Sequence, residues 1–214
     1  MEEGEGSGYF ELNGVQKEAL NELGYRASHH AVTSMAAMTG LAITIEVPTV
    51  DVVPIGDAKK LVEVKKRVAG LLLQLDGGFS GYLQVLFPES SALAIVDTLM
   101  GRMPGETKSI EAEMEESALM EIGNILASAF CDAIADFLQF SLLPSPPAFA
   151  FDRADAVMET VIRAMTQAQE TERIILFKCN FKEENEGVYG YIVLFPDSGS
   201  LKSMLALLDA REKG

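Results

Sequence analysis

Apolar and polar positions along this chain switch from a helical to a strand-like period twice, in the same order. Residues at about 14–39 and about 110–139 carry apolar side chains at three- and four-residue intervals, which predicts two long amphipathic helices. β-rich segments follow, beginning with Leu41 to Val47 and its Ile, Thr and Val. Strand-like runs fall at 61–75 and 79–87, then at 173–182 and 188–195. Asp76-Gly77-Gly78 and Asn185-Glu186-Gly187 read as the turns that close two hairpins. A shorter helical pattern ends each half, at Glu89 to Leu99 and at Asp197 to Leu208.

The chain therefore reads as a duplication. Glu22-Leu23-Gly24 recurs as Glu121-Ile122-Gly123, and Pro48 recurs as Pro147 at the same shift. Gly81-Tyr82 leading to Leu86-Phe87-Pro88 recurs as Gly190-Tyr191 leading to Leu194-Phe195-Pro196, so the loops of the second half are longer. The expected fold class is α+β, with long helices packed on a largely antiparallel sheet. One unit spanning 1–214 is expected, with a first repeat at about 14–100 and a second at about 110–210. Residues 1–10 are expected to be flexible. No Pro/Ser-rich linker separates the halves.

Charge narrows the partners. With 32 acidic and 17 basic residues the formal charge is −15, and nucleic acid is excluded for want of a basic cluster. The nearest candidate, Lys65-Lys66-Arg67, is a short solvated run. No uninterrupted apolar run is long enough to span a bilayer, and Glu2, Glu3 and Glu5 make a poor secretion signal. A soluble cytoplasmic protein without membrane insertion is expected. Cys131 and Cys179 form no C-x-x-C pair, so they read as buried reduced thiols rather than as metal ligands.

The second long helix carries the candidate chemistry. Leu119, Ile122, Leu126, Ala129, Ala133 and Phe137 mark its buried side. Ser117, Glu121, Asn124 and Ser128 fall in one narrow polar stripe. Gly123, beside that stripe, costs about 1 kcal/mol relative to alanine and so marks a place where another surface comes close. A carboxylate can pair with a partner's lysine. A carboxamide one turn away, donor and acceptor at once, can hold a water in line with a phosphorus atom. Glu and Asn on an exposed helix face are nonetheless ordinary, and spacing alone does not establish a site.

Ser117-x3-Glu121-x2-Asn124, followed after twenty-two residues by Pro147, resembles the signature of the CheC/CheX/FliY family of chemotaxis phosphatases. Glu121-Ile122-Gly123-Asn124-Ile125, Ala135-Asp136-Phe137-Leu138 and the stretch from Ile43 to Pro54 are similar to the family as well. The duplicated layout resembles CheC rather than the shorter, single-site CheX, and FliY-type members carry a further switch domain for which no residues are expected here. The resemblance implies hydrolysis of the aspartyl phosphate on the response regulator CheY. Glu121 would bind the regulator's lysine, Asn124 would orient the attacking water, and Ser117 and Pro147 would support the motif. The regulator would supply Mg²⁺, so this chain would need no metal or cofactor of its own, and a monomer is expected.

The first copy departs from the pattern: its stripe reads Glu18, Glu22, Tyr25 and His29, with Pro48 in register. Tyrosine cannot reproduce carboxamide geometry, so this site is expected to be inactive or nearly so. His29 and His30, about 100° apart on a helix, read as a surface pair. The rival reading is a non-catalytic adaptor that binds CheD, the receptor glutamine deamidase, and phosphorylated CheY, with Asp152 as the candidate CheD docking residue. Asp152 is equally an N-cap for a helix from Ala154 to Met165. A flagellar-switch component is the third reading.

Overall fold

Two hairpins that both end on Leu-Phe-Pro, at 86–88 and 194–196, supply the centre of one seven-stranded sheet. The computed structural model describes residues 12–39, 44–60, 66–139, 141–167, 173–183 and 186–211. The expected flexible segment 1–10, together with Lys65 and Asn185, lies outside them. In chain order the helices are α1 (Gly14–Thr39), α2 (Glu89–Leu99), α3 (Glu113–Leu138), α4 (Ala154–Gln167) and α5 (Ser198–Arg211). The strands are β1 (Thr44–Pro54), β2 (Arg67–Gly77), β3 (Gly81–Pro88), β4 (Leu142–Pro144), β5 (Ala148–Arg153), β6 (Arg173–Glu183) and β7 (Glu186–Pro196). A 3-10 turn spans Ile55–Lys60. All pairings are antiparallel, in the order β1-β6-β7-β3-β2, with β4 and β5 both on β2.

The duplication becomes a two-fold relation at β3 and β7. Gln84 pairs with Val193 and Val85 with Ile192. Counted back from Phe87-Pro88 and Phe195-Pro196, those four residues are each other's counterparts, so the repeat axis passes between them. Serines at the starts of the short helices staple the copies crosswise: Tyr189 N–H donates to Ser91 Oγ (3.1 Å) and Ser80 N–H to Ser200 Oγ (2.8 Å).

Strand alternation sorts the core into two faces. Leu71, Leu73, Leu83, Val85, Phe87, Ile175, Phe177, Ile192 and Leu194 point toward α1, α2, α3 and α5. Val68, Leu86, Ile174, Leu176, Val193 and Phe195 point toward α4 and the 3-10 turn. α3 is long and apolar enough to cross a membrane by length and composition. Here its apolar side faces the sheet, with Leu119, Ile122, Leu126, Ala129, Ala133 and Phe137 all buried as its periodicity predicts.

Two turn expectations need correction. Asp76 and Gly77 do not form the hairpin tip; β2 runs through them to pair with Leu143 and Leu142 of β4. Gly77 has a φ of 114°, and its N–H is held by Asp76 Oδ1 at 2.7 Å. Glu186 and Gly187 are already in β7, opposite Glu183 and Lys182. The Asp-Gly and Asn-Glu-Gly cues mark a change of direction correctly, but the extra ladder partner is set by residues far away in sequence. Arg67 is also no part of a free basic run. Its guanidinium lies over the Phe151 ring, 4.0 Å from the centroid, and pairs with Glu89 at 3.7 Å.

The connection from α2 to α3 is pinned from within. Buried Asp97 accepts the Gly105 N–H on one oxygen (2.7 Å) and the Thr107 N–H on the other (2.8 Å). The Arg102 guanidinium donates to Thr107 Oγ1 and Glu115 Oε1, each at 2.8 Å. Burial pushes the Asp97 carboxyl upward, but hydrogen bonds from Thr107, Gly105 and Glu106 outweigh it and hold the group below its ordinary value.

Gly123 explains itself in this arrangement: a methyl group there would overlap both δ carbons of Leu71 in β2. The surface that comes close is the chain's own sheet, on the buried side of α3. Gly123→Ala should destabilise the fold despite alanine's better helix propensity. Overpacking costs about 1–3 kcal/mol against a gain of about 1, and calorimetry should show a Tm lower by a few degrees. The Asp97 clamp predicts a pH dependence. A carboxylate with a depressed folded-state pKa contributes fully above its ordinary value and loses that contribution as pH falls through the depressed one. Asp97→Asn should cost about 1–3 kcal/mol at neutral pH. Denaturant titrations should show the gap to wild type shrinking as the solution is acidified.

Candidate functional site

Burial of one side of α3 leaves the opposite side in solvent. Ser117, Glu121 and Asn124 are exposed and Ser128 is half-buried, so the polar stripe read from the spacing is a real surface feature. Residues three or four apart on a helix place their Cβ atoms about 5–6 Å from one another, so Glu121 and Asn124 can address one partner group together. Among the described residues, neither side chain has a hydrogen bond or ion pair within the chain. The helix itself is firmly seated. Glu113, Glu115 and Glu116 in its first turn complement its dipole, and Gln139, with a φ of 57°, ends it by donating its N–H to the Ala135 carbonyl.

The counterpart stripe on α1 is equally exposed at Glu18, Glu22, Tyr25 and His29. Its chemistry differs beyond the tyrosine. Arg26 donates from Nη2 to Glu22 Oε1 at 2.6 Å and from Nε at 2.9 Å, so this glutamate is already neutralised. The i, i+4 spacing of Glu22 and Arg26 is the sequence signal for this lock. Arg26 also lies 5.6 Å from the centroid of the Phe137 ring, near the end of α3. The first half of α1 thus faces the last turns of α3, as a two-fold relation requires. Between them lies a groove of about 570 Å³ lined by Glu22, Tyr25, Arg26, His29, His30, Ala133, Asp136 and Phe137. His29 and His30 are both exposed there. Among the described residues no three His, Cys, Asp or Glu side chains are grouped as metal ligands.

The two motif prolines are edge-strand features. Pro147 is half-buried in the short break between β4 and β5, both of which pair with β2. Pro48 falls where β1 slips register against β6, between Glu46 and Thr49. Proline lacks the N–H a ladder needs and is confined to such breaks at sheet edges. Pro147 thus sits in an edge-strand break and not on the helix that carries the stripe. Asp152 lies in β5 rather than in a free loop; it is exposed, and its Oδ1 accepts the Arg153 N–H at 2.7 Å. α4 begins at Ala154 directly after Arg153, so Asp152 stands one position too early for the expected N-cap.

Both thiols are buried. Burial, with the Asp132 charge adding to it, pushes Cys131 up to about 12; burial alone does the same to Cys179. Neither is a nucleophile at neutral pH.

A family model described as the CheC-like family matches residues 114–150, which run from the first turn of α3 through the Pro147 break into β5. The chain is 25% identical over 204 residues to a protein named CheY-P phosphatase CheC from Bacillus subtilis, covering 93% of this chain and 98% of the relative. The crystal structure of Thermotoga maritima FliY has the same fold, with a TM-score of 0.75 at 21% identity over 93% of this chain and 98% of that one. A structure of a CheX-CheY-BeF3-Mg complex from Borrelia burgdorferi aligns with a TM-score of 0.50 at 18% identity, over 83% and 97% of the two chains. The matched segment holds the intact stripe, and the similarity to the Bacillus subtilis CheC protein runs nearly end to end.

Proposed function

We propose that the chain is a phosphatase that hydrolyses the aspartyl phosphate of a CheY-type response regulator and so ends the signal to the motor. One observation carries this reading: Glu121 and Asn124 stand exposed, without a side-chain partner among the described residues, one turn apart on a helix whose other face is locked into the core. The name of the Bacillus subtilis relative and the composition of the Borrelia burgdorferi complex support the same substrate.

The chemistry asked of these residues is positioning. An acyl phosphate is already activated, and phosphoryl transfer draws its acceleration from alignment and charge stabilisation. Glu121 accepts hydrogen bonds from a lysine ammonium of the regulator and so fixes the approach of α3. Asn124 enters the phosphorylated pocket, where its amide holds a water on the side of phosphorus opposite the leaving carboxylate. Water's oxygen bonds to phosphorus as the bond to the aspartyl oxygen breaks, giving inorganic phosphate and a free carboxylate. Mg²⁺ is expected in the bound regulator. Ser117 supports the helix face, because no general base is placed to activate it. One chain suffices for this mechanism, and a monomer is proposed.

Under the adaptor reading, Asp152 is the candidate residue for CheD docking. That side chain is exposed, but its carboxylate caps the neighbouring Arg153 N–H, and nothing in its surroundings favours a protein partner over this local turn. A switch component would not need an unengaged carboxylate and amide at this spacing.

Single-turnover dephosphorylation at saturating protein should fall by about 10²–10³ in Asn124→Ala, the usual effect of losing one positioning donor. Ser117→Ala should change it only slightly, and equal small losses would remove the role given to Asn124. The copies should also be unequal. Glu121→Ala with Asn124→Ala should abolish nearly all acceleration, whereas Glu22→Ala with Tyr25→Ala should retain most of it. Circular dichroism must show both variants folded. Loss of activity in a folded first-copy variant would mean that Tyr25 takes part in turnover.

A further inference from the structure

Only five large apolar side chains stand out in solvent among the described residues: Tyr25, Met103, Met114, Leu143 and Leu207. Two of them flank the start of α3. Met114, 67% exposed, lies three residues before Ser117 and seven before Glu121, so it continues the polar stripe toward the helix N-terminus. Met103, 76% exposed, lies in the connection from α2, next to Arg102. The Arg102–Glu115 ion pair ties these two stretches together at 2.8 Å, one residue from each methionine.

Single exposed apolar residues are ordinary on a protein surface. This pair differs because the backbone that presents it is fixed. Arg102 N–H is bound by the Asp97 carbonyl (2.8 Å), and the Met103 N–H by Glu106 Oε2 (2.9 Å). The Glu106 N–H returns to the Met103 carbonyl at 3.0 Å, closing a turn around Met103. With Gly105 and Thr107 held by Asp97, little freedom remains for this backbone to lose on binding. Methionine adds a flexible, polarisable side chain that adapts to an irregular partner surface. Glu111, Glu113, Glu116 and Glu121 surround the pair in sequence, all exposed. The occupant that fits is therefore a protein with an apolar patch rimmed by basic groups, seated against the same stripe that bears Glu121 and Asn124.

We infer that Met103 and Met114 form an apolar shelf on which the phosphorylated response regulator docks while Glu121 and Asn124 engage its active site. The inference rests on the phosphatase reading above and adds the residues that hold the regulator against α3. The shelf touches no reacting atom, so its contribution is to binding. The carboxylates around it steer a partner's basic groups toward the stripe, and the apolar contact then slows departure.

Replacing both methionines with glutamine keeps length and flexibility and removes the apolar contact. With Met103→Gln/Met114→Gln, KM for the phosphorylated regulator should rise about tenfold, the scale expected for losing about one buried apolar side chain. Kd for regulator carrying beryllofluoride should rise in parallel, with kcat essentially unchanged. Leu143→Gln, an equally exposed site on β4, should alter none of these. Unchanged KM and Kd in the methionine variant, with wild type active, would overturn the shelf and leave the phosphatase reading intact. Loss of wild-type self-association in sedimentation, with Kd unchanged, would overturn it by assigning the patch to a second copy of the chain. A wild-type protein that fails to accelerate dephosphorylation of any CheY-type regulator would remove the phosphatase reading, and the shelf with it.

Discussion

The contact between α3 and β2 at Gly123 and Leu71 fixes which way the helix faces. A helix can turn about its own axis with little change in backbone energy, so something must set that rotation before a surface stripe has meaning. Here the missing side chain of Gly123 lets the helix backbone come down onto Leu71, a fully buried residue. Interiors are packed too tightly to accept another rotation. Leu119, Ile122, Leu126 and Phe137 then have one place to go, and Glu121 and Asn124 are turned outward by the same constraint. The glycine is thus a structural requirement of the site although it takes no part in the chemistry.

Duplication supplied the frame, and divergence decided its use. β3 and β7 meet on the repeat axis and bring two hairpins into one sheet, so each copy's long helix is supported by a surface neither copy makes alone. Once the sheet is shared, the copies are free to differ where they meet solvent. α1 exchanged the amide position for Tyr25 and engaged its glutamate with Arg26, while α3 kept both groups unencumbered. An ion pair at an exposed i, i+4 position contributes only about 0.3–0.5 kcal/mol, so the lock on Glu22 is weak as stabilisation. Its consequence is chemical, because a carboxylate already paired must give up that partner before it can take another.

A site on a rigid helix needs little else. The reaction that the resemblance implies relies on groups held by the partner, and the acidic start of α3, with Glu113 and Glu116 exposed, suits a protein substrate better than a small molecule. The groove between the long helices belongs to the degenerate face, where Tyr25 and Arg26 line it.

Helical periodicity placed α1 and α3 to within a few residues, because a chain that buries one side of a helix must repeat its apolar residues at the helical period. The duplication was legible for a similar reason: Phe87-Pro88 and Phe195-Pro196 end equivalent strands, and the same geometry selects the same residues. The stripe of Ser117, Glu121 and Asn124 was legible as a shared face, and its exposure followed from the apolar side opposite. What the sequence could not determine were contacts between residues distant along the chain. Gly123 announced a close approach, but only the sheet decided that Leu71 makes it. Asp76-Gly77 announced a turn, but only the pairing with β4 decided that β2 continues through it. The Asp97–Arg102–Glu115 clasp, and the exposure of Met103 and Met114 beside it, left no periodic mark. Local pattern records which side of an element is buried, since that is a property of consecutive residues; what lies against that side is set by packing, which depends on the whole chain at once.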